Sequence, residues 1–491
     1  MGVLWISIKN VLGGFQMFKN TEEVKKYCQD SGIKIIDFKL TDLTGRWHHL
    51  SIPTERFSDK IFDEGIGFDG SSYGFLTVEK SDMVFIPDIS TAFIDPFCSI
   101  PTLSMIANIY KLDSGIKRFD GDPRFVAEKA EKFMIESGIA DENRIGPEFE
   151  FYVFDSVSFE NKANHMEVSI DAGQAEWNSN KEYGNGYKIG HKGGYHAALP
   201  YDVNNDFRSE ATLMMEEMGI PVKYHHHEVG GPGQIEIEVE FGTMKSMADK
   251  TLITKYILKN LAVQHGKSVT FMPKPIYGEA GSGMHVHMML WKNGEPLFYD
   301  EKGYAGLSQT ALYFIGGLLK HAPALLGLSS PSTNSYKRLI PGYEAPVSIC
   351  FGTANRSAVI RIPGYANKPE NKRFEFRSSD ATCNPYLAYS AMLMAGLDGI
   401  ISKIDPSAEN FGPYDVNIFD LKDEDRKKIK CLPKSLEESL EALREDHEFL
   451  LRGDVFTEEL IQTWIKQKYE KEIKKIANVP TPAEFMMYYD L

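Results

Sequence analysis

The chain has little cysteine. Its 491 residues include five, Cys28, Cys98, Cys350, Cys383 and Cys431, and none forms a CxxC pair. That scatter excludes a disulfide framework and a thiolate zinc site, and it suits a reducing cytoplasm. No apolar run approaches the roughly 18 residues needed to cross a bilayer, so no membrane association is expected. A long Lys/Arg block is also missing: 54 basic residues stand against 69 acidic ones, for a net charge of −15. This argues against nucleic acid or an anionic membrane as partner. The opening "MGVLWISIKNVLGGFQ" is mildly apolar but lacks a basic start and a small-residue cleavage site, so it does not read as a signal peptide. Residues 1–17 read as an extension outside the fold, with Met17 as an alternative start. There are no internal repeats or low-complexity tracts.

What is present is enough chain for two or three domains at an ordinary hydrophobic content of 42%. Asn20 or Thr21 can cap a short helix ending at Gly32, and "IKIIDFKLTD" then alternates as a strand does. This α+β unit, residues 18–120, runs to the glycine-rich "KLDSGIKRFDGDP", where Asp122 and Pro123 start a helix that Gly138 closes. The remainder, 121–491, interleaves strands and helices. "RIGPEFEFYVFD", "HHHEV" and "QIEIEVEF" read as strands, "GSGMHVHMMLWKNGEPLFY" as a hairpin about Asn293-Gly294, and "YLAYSAMLMAGL" as a buried helix. "FRSEATLMMEEMG" and "MADKTLITKYILKNLAVQHG" read as helices, and "SLEE" from Ser435 as a capping box.

The chemistry sits on strands at two-residue spacing. In "PEFEF", Glu148 and Glu150 share one face and Phe149 and Phe151 the other. In "MHVHM" His285 and His287 share a face, and in "RFEFR" Arg373, Glu375 and Arg377 oppose Phe374 and Phe376. Taken singly, each is also compatible with an ordinary solvated strand face. The stretch "KYHHHEVGGPGQIEIEVEF" adds Glu228 and, on its second strand, Glu236, Glu238 and Glu240, without fixing which of those three points inward. His225 and His226 there read as packing or hydrogen-bonding groups. Together the strands offer an oxygen-rich set with an occasional imidazole, which suits Mg²⁺ or Mn²⁺ rather than zinc. Two such ions make a phosphoryl-transfer clamp, and Arg338, Arg356 and Arg361 in "NSYKRLIPGYEAP" and "ANRSAVIRIP" can meet the phosphate.

These motifs, with "FDGSS", "GPEFEF", "HHHEV…GQIE" and "CNPYLAYSAMLMAGLDGI", come in the order found in type I glutamine synthetases, and the resemblance runs from about Asn20 to the C-terminus. It implies an N-terminal β-grasp domain and a catalytic domain built as an open funnel of antiparallel strands flanked by helices. It further implies a dodecamer of two stacked six-membered rings. "GFDGSS" would reach into the neighbouring subunit's site with Asp69 and Ser72, and "AEFMMYYDL" would strap the rings together.

The residue roles that follow are those the resemblance implies. One cation is held by Glu150, Glu228 and Glu236, the other by Glu148, His285 and Glu375. His287 and Arg356 meet the γ-phosphate of ATP, Arg361 and Arg373 assist at the nucleotide phosphates, and Phe241 stacks on adenine. Arg338, Arg377 and the backbone at Gly281 hold L-glutamate. Asp69, Glu228 and Tyr195 attract ammonium and take its proton, and Glu344 closes over an acyl phosphate. The reaction implied is ATP-dependent ligation of ammonia to glutamate. A ligase for a larger amine or a non-catalytic assembly protein are the rivals; Asp69, Tyr195 and Glu344 favour ammonia, and an inactive relative has no reason to keep six ligands.

The sequence also departs from the family pattern. Phe419 stands where adenylylated enzymes carry tyrosine, and Thr77 where feedback-inhibited relatives carry arginine, so adenylylation is excluded and glutamine feedback is expected to be weak. Ala280 replaces an asparagine beside glutamate, and Lys223 and Met289 replace groups that approach ATP.

Overall fold

The computed structural model describes residues 16, 18–75, 81–179, 185–340, 345–353, 355–416, 418 and 421–491. The first helix, Thr21–Asp30, is capped by the side chain of Asn20, which accepts from the backbone N–H of Glu23 at 3.0 Å. It stops before Gly32, whose φ of +67° a side chain would strain. Seven strands follow: β1 (Ile35–Thr41), β2 (Trp47–Pro53), β3 (Ile66–Asp69), β4 (Asp82–Pro87), β5 (Phe93–Ile94), β6 (Thr102–Leu112) and β7 (Ile116–Arg118). They form one sheet in the order β2-β1-β6-β4-β3, with β5 and β7 also on β6. β1 and β6 run parallel at the centre and the other neighbours antiparallel, as in a β-grasp unit.

Asp122 then caps the helix Pro123–Glu136 by accepting from the N–H of Arg124 at 3.0 Å. Arg124 is buried and joins the two halves of the chain. It pairs with Asp88 at 2.8 Å and donates to Asn108 at 2.7 Å on the first sheet side, and to Asp249 at 3.0 Å in the helix Met244–Gln264. The main apolar core runs through both halves.

The second half carries β8 (Glu142–Phe154), a hairpin of β9 (Ser156–Lys162) and β10 (His165–Asp171), then β11 (Val222–His227), β12 (Gln234–Val239), β13 (Ser268–Thr270), β14 (Val286–Lys292), β15 (Glu295–Pro296), β16 (Ser348–Thr353), β17 (Ala358–Ile362) and β18 (Phe374–Phe376). Apart from β9 and β10, they make a nine-stranded sheet in the order β11-β12-β8-β14-β18-β17-β16, with β13 on β8 and β15 on β14. The sheet is antiparallel except between β16 and β17, which run parallel. Alternation decides its faces. Phe149, Phe151, Ile235, Ile237, Val286, Phe374 and Phe376 are fully buried in the core, which leaves the intervening polar residues on the opposite face. The helix Pro385–Ile401 is buried from Pro385 to Gly399, as an all-round apolar stretch requires.

One cap differs from expectation. Ser435 accepts from Glu438 N–H at 3.1 Å, but the Glu438 carboxylate bonds the N–H of Lys434 at 2.7 Å, so the box does not close on Ser435. Among the described residues no single helix is long and apolar enough to cross a membrane.

Candidate active site

Strand register builds the site. β12 lies between β11 and β8 so that Glu236 is directly opposite His226 on one side and Glu150 on the other; one step along, Glu238 is opposite Tyr224 and Glu148. On the far side of β8, Glu148 N–H donates to the carbonyl of His285 at 2.9 Å, and His287 of β14 is opposite Glu375 of β18, which is opposite Arg361 of β17. Three rows of ionisable side chains therefore cross one sheet face. Directly opposed carboxylates repel, so this is a pattern that folding alone does not favour.

The side chains converge. His287 Nε2 lies 2.7 Å from Glu148 and 3.5 Å from Glu375, and His285 Nδ1 lies 2.8 Å from the other oxygen of Glu148. One ligand atom each from Glu148, His287 and Glu375 fall within 4.8 Å of one another, and so do those of His226, Glu228 and Glu236. Glu150 sits between the groups, accepting from Gly283 N–H at 2.6 Å with its other oxygen 3.7 Å from His285. All six predicted ligands, Glu148, Glu150, Glu228, Glu236, His285 and Glu375, line one cavity of about 1320 Å³.

The electrostatics fit cations. Burial, then the charges of Glu148, Glu150, Glu228 and Glu238, push Glu236 well above the usual carboxylate range. Burial and Glu150 raise Glu228 to about 7, against a hydrogen bond from Val229 N–H. For Glu148 burial acts upward as well, but His287 and His285 outweigh it and hold the carboxyl well below its ordinary value. Crowded, largely buried carboxylates with one or two imidazoles are a donor set for hard divalent ions, and the residues present fit them.

The same cavity is lined by Tyr195, Gly281, Arg338, Arg356, Arg361 and Arg377. Arg361 Nη1 and Arg377 Nε both reach Oε1 of Glu375, at 3.1 and 3.0 Å. Arg338 is held by the carbonyls of Arg377 at 3.0 Å and of Ser378 and Ser379 at 3.2 Å. Tyr195 stacks on His196 with ring centres 4.1 Å apart.

Phe241 and Arg373 line a second cavity of about 900 Å³, and Tyr224 and Tyr365 belong to both. Lys223 Nζ stands 4.2 Å over the Phe241 ring and 2.6 Å from Glu238, while the Arg373 guanidinium lies 5.3 Å from the same ring. Arg361 and Arg373 each keep a buried Nε without a hydrogen-bond partner among the described residues, donors suited to an anion. Lys223 and Met289 line this cavity, and Ala280 the larger one.

Asp69 and Ser72 are exposed at the end of β3 and line neither cavity of their own chain. Glu344, Thr77, Phe419 and Met17 lie outside the described residues. The sequence reading took His226, which sits with Glu228 and Glu236, for a packing or hydrogen-bonding group, and it left open whether Glu238, buried at the smaller cavity, points inward. The period-two pattern carried the signal for both: His226 is two residues from both Tyr224 and Glu228, and Glu238 two from Glu236.

A β-grasp unit joined to a curled, mostly antiparallel sheet puts a donor set suited to divalent cations beside anion-binding arginines, the arrangement of a phosphate-handling enzyme. The family model "Glutamine synthetase, beta-Grasp domain" matches residues 32–112, and "Glutamine synthetase, catalytic domain" matches 120–488. The chain is 47% identical over 479 residues to a glutamine synthetase of Frankia alni, covering 97% of this chain and 100% of that one. Against one from Streptomyces coelicolor it is 48% identical over 477 residues, again covering 97% and 100%. A cryo-EM structure of Plasmodium falciparum glutamine synthetase matches with a TM-score of 0.86 at 29% identity, over 97% of this chain and 100% of that one. The chain belongs to the glutamine synthetase family.

Proposed function

We propose that the chain ligates ammonia to L-glutamate with ATP, giving L-glutamine, ADP and phosphate. The observation that carries this reading is the single cavity into which six predicted cation ligands and Arg338, Arg356, Arg361 and Arg377 open together. A γ-carboxylate oxygen of glutamate attacks the γ-phosphorus of ATP, and the bond to the β-γ bridging oxygen breaks to release ADP. Ammonia, after its ammonium form loses a proton, then attacks the acyl carbon, and the carbon–oxygen bond to phosphate breaks.

Glu150, Glu228 and Glu236 would hold one ion and Glu148, His285 and Glu375 the other, with His226 and His287 close by. Mg²⁺ or Mn²⁺ bound there supplies the positive charge that offsets the phosphates. Phe241 and Arg373 suit the nucleotide end of the site, with Arg361, Arg356 and His287 toward the phosphates. Arg338 and Arg377 suit the carboxylates of glutamate beside Gly281. The Glu228 carboxylate and the Tyr195 hydroxyl form a polar corner for ammonium, completed by Asp69 and Ser72 of a neighbouring copy, and Glu344 excludes water from the acyl phosphate.

Shared sites imply an oligomer, read here as a dodecamer of two hexameric rings. The exposed Phe485, Met486, Met487, Tyr488 and Tyr489 near the C-terminus support such an assembly, because so much apolar surface rarely faces water. The division into residues 1–17, 18–120 and 121–491, a cytoplasmic location, absence of adenylylation at Phe419 and weak glutamine feedback at Thr77 belong to the same reading. The test is an assay of glutamine formation from glutamate, ATP and ammonium, alongside a panel of larger amines. Preference for an amine would replace ammonia as the acceptor, and loss of turnover in Glu344→Ala would support the closing role.

A further inference from the structure

His227 ends β11 on the face turned away from His226, is 0% exposed, and takes no part in the reaction described above. Its Nδ1 lies 2.6 Å from the main-chain carbonyl oxygen of Glu228, and its Nε2 lies 2.6 Å from Nε2 of Gln174. A carbonyl oxygen only accepts, so the ring proton sits on Nδ1 and the lone pair on Nε2 accepts from the Gln174 carboxamide. The same carboxamide nitrogen donates to the carbonyl oxygen of Gly231 at 2.9 Å, and its oxygen accepts from Asn204 at 3.5 Å. Gln174 and Asn204 are 1% and 2% exposed. Each donor in this chain meets an acceptor in one orientation only, and the chain spans the glycine-rich break between Glu228 and Gly231.

The backbone of the Tyr195 loop is fastened at the same place. His196 N–H donates to the carbonyl of His227 and Gly194 N–H to that of Val229, both at 3.0 Å. Glycine is needed at 194, because a Cβ there would stand 2.4 Å from the carbonyl oxygen of Glu228. Tyr195 lies between those two bonds. The Glu228 carboxylate and the Tyr195 phenol therefore both project from one junction whose rear is held by an imidazole and a carboxamide.

We propose that His227 and Gln174 are positioning residues. By fixing the main chain at Glu228 they place its carboxylate with Glu236 and His226, and they set the separation between Glu228 and Tyr195. This rests on the reading of that group as a cation site. Groups behind a metal's own ligands commonly change affinity by about 10–100-fold when removed.

The experiment is Mn²⁺ titration of the full chain, followed by electron paramagnetic resonance of the free ion, with steady-state kinetics in parallel. The proteins are wild type, Gln174→Leu, His227→Phe and His227→Asn. Gln174→Leu and His227→Phe should weaken one class of bound Mn²⁺ by about 10–100-fold and leave the other within about threefold. Asparagine can still give an N–H to the Glu228 carbonyl, so His227→Asn should recover most of that affinity. In the weakened variants KM for ammonium should rise while KM for ATP stays within about threefold. If His227→Phe does not fold, Gln174→Leu against wild type decides. A wild-type chain that binds no Mn²⁺ would overturn the cation reading itself. Wild-type binding with both classes weakened alike, or with neither changed in Gln174→Leu, would overturn the positioning role alone.

Discussion

The imidazole of His226 directs Nε2 at Oε1 of Glu236, 3.4 Å away, while its Nδ1 lies 3.1 Å from the carbonyl oxygen of His227. The carbonyl requires the proton on Nδ1, which leaves the Nε2 lone pair facing the acidic group. This is the tautomer a cation ligand needs, fixed from behind by the backbone. His226→Ala is expected to raise the Mg²⁺ concentration for half-maximal glutamine formation by about tenfold or more. The rate at saturating Mg²⁺ should fall less than the apparent affinity does. An unchanged Mg²⁺ dependence would remove His226 from the group.

Glu236 and Glu150 face each other across β12 and β8, and Glu228 closes on both. Without divalent ions this crowding opposes folding, and its pH dependence has a definite sign. Burial and Glu150 raise Glu228 from 4.5 to about 7. A carboxyl raised by the fold gives its full stability below the unfolded value, and that stability is lost as pH rises through the folded value. In EDTA the chain should thus lose stability between about pH 4.5 and 7, by on the order of 3 kcal/mol from this group. Urea unfolding midpoints from pH 5 to 8 should show Glu228→Gln gaining on wild type as pH rises. Saturating Mg²⁺ should stabilise wild type and abolish that gain, since an ion held at 100 times its Kd adds about 2.7 kcal/mol. A parallel pH course for the two proteins in EDTA would contradict the crowding argument.

Much of this site was legible from period-two spacing alone. Phe149 and Phe151 had to turn into the core, which sent Glu148 and Glu150 the other way, and the same reasoning placed Glu375 between Phe374 and Phe376. Register was not legible. That Glu236 meets both His226 and Glu150 depends on pairing between β8, β11 and β12, and those strands come from positions up to 97 residues apart in the chain, as Glu142 and Val239 bound them. Without that pairing, Glu236, Glu238 and Glu240 looked equivalent. The structure buries the first two and exposes the third. His225, His226 and His227 also differ only through what lies across from them: Arg208 for the first, Glu236 for the second and Gln174 for the third.

His321 lies at the junction of the helices Gln309–Lys320 and Ala322–Ser329, with Nε2 3.1 Å from Asp398 and Nδ1 2.8 Å from Asp446. Its ring stacks on Phe449 at 4.0 Å. Burial acts to lower its pKa, but hydrogen bonds to Asp398 and Asp446 outweigh this and raise it above 6.5. A neutral imidazole donates from one nitrogen only, so deprotonation leaves one carboxylate without its donor. The stability His321 contributes is complete below about pH 6.5 and declines as pH rises through the higher folded value. Thermal unfolding should show the advantage of wild type over His321→Gln shrinking from pH 6 to pH 8.5. A constant difference would mean that the charge of His321 is not involved.

Gly281 lies against Arg338 so closely that a Cβ would stand 2.7 Å from Arg338 Cγ and 2.7 Å from the carbonyl oxygen of Pro273. Arg338 cannot yield easily, because its guanidinium is fixed by the carbonyls of Arg377, Ser378 and Ser379. Gly281→Ala must therefore displace either the arginine or the loop bearing Ala280 and Ser282, and displacements of about 1 Å at a reacting site can cost 10²-fold in rate. We expect kcat/KM for glutamate to fall by about 10–100-fold, with KM for ATP within about threefold of wild type, because Phe241 and Arg373, the proposed nucleotide end, open into a different cavity. Equal losses toward glutamate and ATP would show that the added methyl disturbs the sheet as a whole rather than the position of Arg338.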